Sequence, residues 1–173
     1  MDKILTFVGK KTHLFILFGL TLSFNILLTL FMPKEYALDL KFAYSFTEAL
    51  QSLQQMDLKT RELYEIGVWA LDFPYLVVYS LFFAGVLYRL FDKKTFVFLP
   101  FGVALMDVFE NILVLRILQN FPDLTQSLVF SASIFTTAKW VLVAIMMTLV
   151  IVGLVRMIIL KKYSLQSQSE VEA

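Results

Sequence analysis

Four stretches of about 20 mostly apolar residues dominate this sequence, each long enough to cross the roughly 30 Å hydrocarbon core of a bilayer as a helix. The first, Leu14 to Met32, has no charge and is closed by Pro33, which cannot continue a helical ladder. Lys3, Lys10 and Lys11 before it resemble a signal-peptide head, but the apolar run is too long and no small-residue cleavage pattern follows, so it reads as a retained anchor. The second span covers about 67–90, with Pro74 just inside one end, and the third about 95–118, with Pro100 inside it. The fourth, about 133–158, is uncharged from Leu124 to Ala138, carries Lys139, and is uncharged again to Arg156. The runs are too long and too evenly apolar for barrel strands, which alternate in segments of about ten residues. The expected fold is all-α: a four-helix membrane bundle over 1–162, followed by a polar tail, 163–173, that reads as disordered.

Composition agrees. Apolar residues make up 59% and charged residues 17% of the 173, against about 25% charged in soluble domains, which excludes a water-soluble globule. A formal charge of +1 leaves no footprint for nucleic acid, and without cysteine there is no disulfide, thiolate or iron–sulfur chemistry. With one histidine, His13, at the end of the first span, neither a haem nor a catalytic zinc site is expected; no metal or cofactor is called for.

Lysine and arginine near the span ends set the orientation. Lys3, Lys10, Lys11, Arg89, Lys93, Lys94, Arg156, Lys161 and Lys162 lie on one side, against Lys34, Lys41, Lys59, Arg61 and Arg116 on the other. The positive-inside rule then puts both termini in the cytoplasm, the expected address being a bacterial inner membrane with the bilayer as first partner.

The first loop, 33–66, is long enough for a small extracytoplasmic cap. Apolar residues at every even position from Tyr36 to Phe46 predict an extended segment with one covered face. Ser45-Phe46-Thr47-Glu48 is a capping box opening a short amphipathic helix, and a second helix is expected from Asp57 through Leu63 and Trp69 into the second span. The cap reads either as a lid over a site or as an interfacial helix with Tyr44, Tyr64 and Trp69 among the headgroups.

A charge at the centre of a membrane helix costs roughly 2.5–3.5 kcal/mol on insertion scales, so the residues carrying function are those that break the apolar pattern. Asp107, Glu110 and Asn111 fall at i, i+3 and i+4 and share a face that Val114 continues; Asp72, Tyr75 and Tyr79 do so at i, i+3 and i+7. Lys139, with Thr136 three residues earlier, and Asn25 of the first span lie at similar depth. One cluster is expected, with Lys139 paired to Glu110, Asp72 or both and Arg116 at its edge. Three carboxyls against one ammonium leave an excess to be relieved by a proton or a bound cation.

The strings Leu71-Asp72-Phe73-Pro74-Tyr75 with Tyr79, Asp107-Val108-Phe109-Glu110-Asn111 and Lys139-Trp140 resemble a group of small bacterial four-span membrane proteins; the likeness covers about 61–140 and implies that these residues form one site. In plan alone (four spans, a long first loop, acids within the membrane) the chain also resembles the EXPERA family of sterol isomerases and sterol-binding proteins, which would imply sterol chemistry. The expected function is a pocket of Asp72, Tyr75, Tyr79, Asp107, Glu110, Asn111 and Lys139 that binds a small polar or amphipathic, lipid-like ligand. The alternatives are an enzyme on a lipid-like substrate, with Asp107 or Glu110 as acid or base and Lys139 stabilising negative charge, and a scaffold whose cluster is structural.

Overall fold

The computed structural model describes residues 6–171, and among these it is all-helical with no strand. Four helices are long and apolar enough to span a membrane. We label the helices α1 (Lys11–Phe31), α2 (Phe46–Gln55), α3 (Leu58–Phe91), α4 (Lys94–Asn120) and α5 (Gln126–Val171). In lipid every backbone N–H and C=O must be bonded within its own segment, which is why the apolar runs resolve into unbroken helices. α5 continues to Val171, into the segment 163–173 that reads from sequence as a disordered tail; no glycine or proline after Gly153 interrupts its ladder.

α4 packs on both α3 and α5, whereas α1 rests on α3 and buries none of its residues. Near the terminal end the helices close tightly. A Cβ on Gly85 of α3 would lie 2.8 Å from the Val8 carbonyl oxygen, and one on Gly153 of α5 would lie 2.9 Å from Leu90 Cβ, so hydrogen at these positions permits the approach. At the cap end a cavity lies among polar residues.

The expected run of helix from the cap into the second span is present in α3, with Asp57 as N-cap accepting the Thr60 N–H at 2.7 Å. Pro74 does not kink this helix freely; a π turn, Val68–Asp72, precedes it. In an unbroken α-helix Tyr64 and Asp72, eight residues apart, would point about 80° from one another; the one extra residue of the π turn cuts that to about 20°. The turn thus aligns the cap half of α3 with its membrane half.

The cap departs from its sequence reading in one respect. Residues 36–46 are not an extended strand: a single 3₁₀ turn, Leu38–Leu40, interrupts them, burying Ala37, Leu38 and Tyr44 while Leu40 and Phe42 stay exposed. Alternation failed because i and i+3 eclipse in a 3₁₀ turn, so period 2 no longer sorts covered from uncovered positions. The apolar cap residues pack into a core with Tyr64, Val114 and Val129.

The capping box on α2 is complete. The Ser45 hydroxyl accepts the Glu48 N–H at 3.3 Å, and the Glu48 carboxylate accepts the Ser45 N–H at 2.7 Å. That backbone bond, then the Ser45 hydroxyl, holds Glu48 below its ordinary pKa. The sign follows: a depressed carboxyl contributes its stabilisation fully above the unfolded pKa of about 4.3 and loses it as pH falls through the folded value. Hydrogen exchange of the α2 amides is therefore expected to rise below pH 4 in the native chain, and Ser45→Ala to raise it at all pH values, at a cost of about 1 kcal/mol.

Candidate functional site

At the cap end, Asp72 and Tyr79 from α3, Asp107, Glu110 and Asn111 from α4, and Thr136 and Lys139 from α5 are all buried. Lys139 Nζ forms ion pairs with Glu110 and, at 3.2 Å, with Asp107 Oδ1. Glu110, fully buried, also accepts the Thr136 hydroxyl at 2.6 Å, and Tyr79 donates its hydroxyl to Asp107 Oδ2 at 2.8 Å. Both carboxylates thus reach across from α4 to donors on α3 and α5. One ammonium faces two carboxyl groups and neutralises at most one.

Sequence reasoning therefore found the right partners but misplaced one link. Asp72 is not a partner of Lys139: among the described residues it makes no ion pair, and its carboxyl opens onto a cavity. Asn111 lies beside it, but the buried Asn111 amide nitrogen falls short of a hydrogen bond to any described residue. Arg116 is exposed and takes no part in the cluster's ion pairs among the described residues.

The cavity, about 280 Å³, runs along the bundle between α1, α3, α4 and α5. Three levels can be distinguished along the helices. Lys34, Asp39 and Leu40 of the cap form the mouth; Asp72, Tyr75, Tyr79, Asp107 and Lys139 form a polar belt; Phe83, Val103, Val143 and Met146, further along their helices from the cap, form an apolar floor. Of the expected site residues, Asp72, Tyr75, Tyr79, Asp107 and Lys139 line the space, while Glu110 and Asn111 are buried behind the wall.

Asp39 was not legible as part of the site. Its backbone carbonyl accepts the Trp140 indole N–H at 3.2 Å and the Lys139 ammonium at 3.4 Å, and its carboxylate accepts the Tyr64 hydroxyl. A carbonyl carries no side-chain signature, and its partners lie about a hundred residues away, so no local pattern could have pointed to it. Nor do Tyr44 and Tyr64 sit among headgroups; both are buried under the cap, and only Trp69 is exposed. Desolvation lifts the Tyr44 phenol far above its ordinary pKa, so it stays neutral.

Among the described residues, no three histidine, aspartate or glutamate side chains are grouped as a metal-ligand set. Chemically the arrangement offers a free carboxyl, a shared ammonium, two phenols and an indole above an apolar well. No known protein family, curated protein or solved structure matches this chain.

Proposed function

We propose that this chain is a multi-pass protein of the cytoplasmic membrane, both termini on the cytoplasmic side, whose pocket holds a small amphipathic, lipid-like molecule with its head at the polar belt and its tail in the floor. The observation that carries this reading is the gradient along one cavity, from charged mouth and belt to apolar floor. A purely polar solute would leave Phe83, Val103 and Met146 against nothing, and a hydrocarbon would leave Asp72 desolvated without an ion-pair partner. The volume of about 280 Å³ lies just below the roughly 300 Å³ at which ligand pockets begin, enough for a short or partly inserted chain.

Native mass spectrometry of the protein purified in maltoside micelles is the test. One amphiphile per chain should be retained by the wild type and lost or weakened in Asp72→Asn, which keeps the shape and removes the ionisable carboxyl. Spectra without any retained molecule in either form, after mild and harsh detergent alike, would count against the reading.

The unpaired Asp72 carboxyl also favours a second reading, in which it exchanges a proton with a bound lipid. In that case cells carrying Asp72→Asn accumulate an unprocessed lipid while the protein still retains it.

A further inference from the structure

We infer that the ligand's tail reaches the floor sideways, from the cap-side leaflet of the bilayer between α1 and α5, rather than from water through the cap. This rests on the pocket reading above and adds where its ligand comes from: the molecule is already dissolved in the membrane when it is bound.

The axial route is pinned by bonds, with the exposed Lys34 and Leu40 at its rim. The cap is tied to α5 at three points: the Asp39 carbonyl to Trp140 and Lys139, the Phe42 carbonyl to the Thr137 hydroxyl at 3.0 Å, and the Tyr44 N–H to Ser133 Oγ at 2.9 Å. From α3, Tyr64 holds both Leu38 and Asp39. Opening the roof means breaking several of these together, in a segment whose core residues Leu38 and Tyr64 are fully buried.

The side is different. α1 packs on α3 and contributes no buried residue, yet its Asn25 and Thr29 line the cavity and are themselves exposed. Across the gap Met147 of α5 lines the same cavity and is 41% exposed, while its neighbour Met146 on the floor is only 2% exposed. The cavity wall therefore gives way to the lipid-facing surface between these two helices. At 1.5 Å per residue, Thr29 and Asn25 lie about 3 and 9 Å below the Phe31 end of α1, within the hydrocarbon of the cap-side leaflet. Asn25 and Thr29 also give a polar head two hydrogen-bonding side chains on its way past an otherwise apolar edge.

The probe that separates the routes is an alkyl alcohol carrying a diazirine at its tail end, dissolved in vesicles holding the full chain and photolysed, with labelled residues mapped by mass spectrometry. Val103 and Met146 are shielded from bulk lipid but line the floor, so label there reports a tail inside the cavity. Phe98 and Ile151, 56% and 59% exposed, report ordinary lipid contact and correct insertion. Floor label is expected from the membrane-dissolved probe and not from a water-soluble diazirine acid. Thr29→Trp with Met147→Trp should abolish it while Phe98 and Ile151 remain labelled. Should the double variant fail to insert, Thr29→Trp alone, on a helix that buries none of its residues, carries the same expectation. Floor label that survives both tryptophans, or that the aqueous probe produces equally, overturns lateral access and leaves the pocket reading standing. Absence of floor label in the wild type, with Phe98 and Ile151 labelled, overturns both.

Discussion

Lys139→Met is expected to be the most damaging single substitution in the membrane part of the protein, lowering stability by about 3–5 kcal/mol. The side chain is nearly isosteric, so the loss is electrostatic: Glu110, fully buried, and Asp107 keep their carboxyls and lose the only ammonium that reaches them among the described residues. Breaking one partner of a buried ion pair costs far more than the pair itself contributes, because the charge left behind is desolvated without compensation. The triple replacement Lys139→Met, Glu110→Gln, Asp107→Asn should therefore recover most of the loss. Unfolding in mixed dodecyl sulfate and maltoside micelles, followed by circular dichroism, measures both. Asp72→Asn offers the contrast, since Asp72 has no ion pair to lose; its stability should change little while ligand retention falls. A Lys139→Met variant as stable as the wild type would show that the cluster is not held by this charge.

The contrast separates the two roles that the sequence had merged into one cluster. Helical spacing placed Asp72, Tyr75 and Tyr79 on one face and Asp107, Glu110 and Asn111 on another, and both faces are found at the same level of the bundle. That much was legible because Asp72–Tyr79, from the last residue of the π turn onward, and Asp107–Asn111 each follow regular helix, so relative depth and rotation there follow from residue number. Which carboxyl meets Lys139 was not legible, since it depends on how three helices are turned about one another. The split between lining and supporting residues has the same origin: Glu110 and Asp107 are three apart on α4, yet one stands behind the wall and the other on it.

The cap was the least legible part. Its capping box and Asp57 start are local signals read from adjacent residues, and both are present. Its fold is long-range: Tyr44 meets Ser133, Phe42 meets Thr137 and Asp39 meets Trp140 across intervals of 89 to 101 residues. Alternation of apolar residues could not anticipate a 3₁₀ turn that is fixed by a tyrosine from another helix.

Tyr64→Phe should release that turn. The hydroxyl does two jobs at once, donating to the Asp39 carboxylate and accepting the Leu38 N–H at 3.0 Å, and both Tyr64 and Leu38 are fully buried. Phenylalanine fills the same volume but leaves the Leu38 N–H without an acceptor inside a dry core and Asp39 without its donor, a cost of about 1–3 kcal/mol for the unsatisfied group. The four spans do not depend on this bond, so helix content should be unchanged. The loss should appear instead as faster hydrogen exchange at Leu38 to Lys41, where the Lys41 N–H is bonded to the Leu38 carbonyl at 3.2 Å. Because the next group along, the Asp39 carbonyl, is what ties the cap to Lys139 and Trp140, the mouth should loosen too, and the water-soluble diazirine acid should now reach Val103 and Met146. Unchanged exchange at Leu38 in the variant would mean that the roof is held by the Thr137 and Ser133 bonds alone. Fast exchange without aqueous labelling of the floor would place the seal at the belt, where Tyr79, Asp107 and Lys139 close on one another beneath the cap.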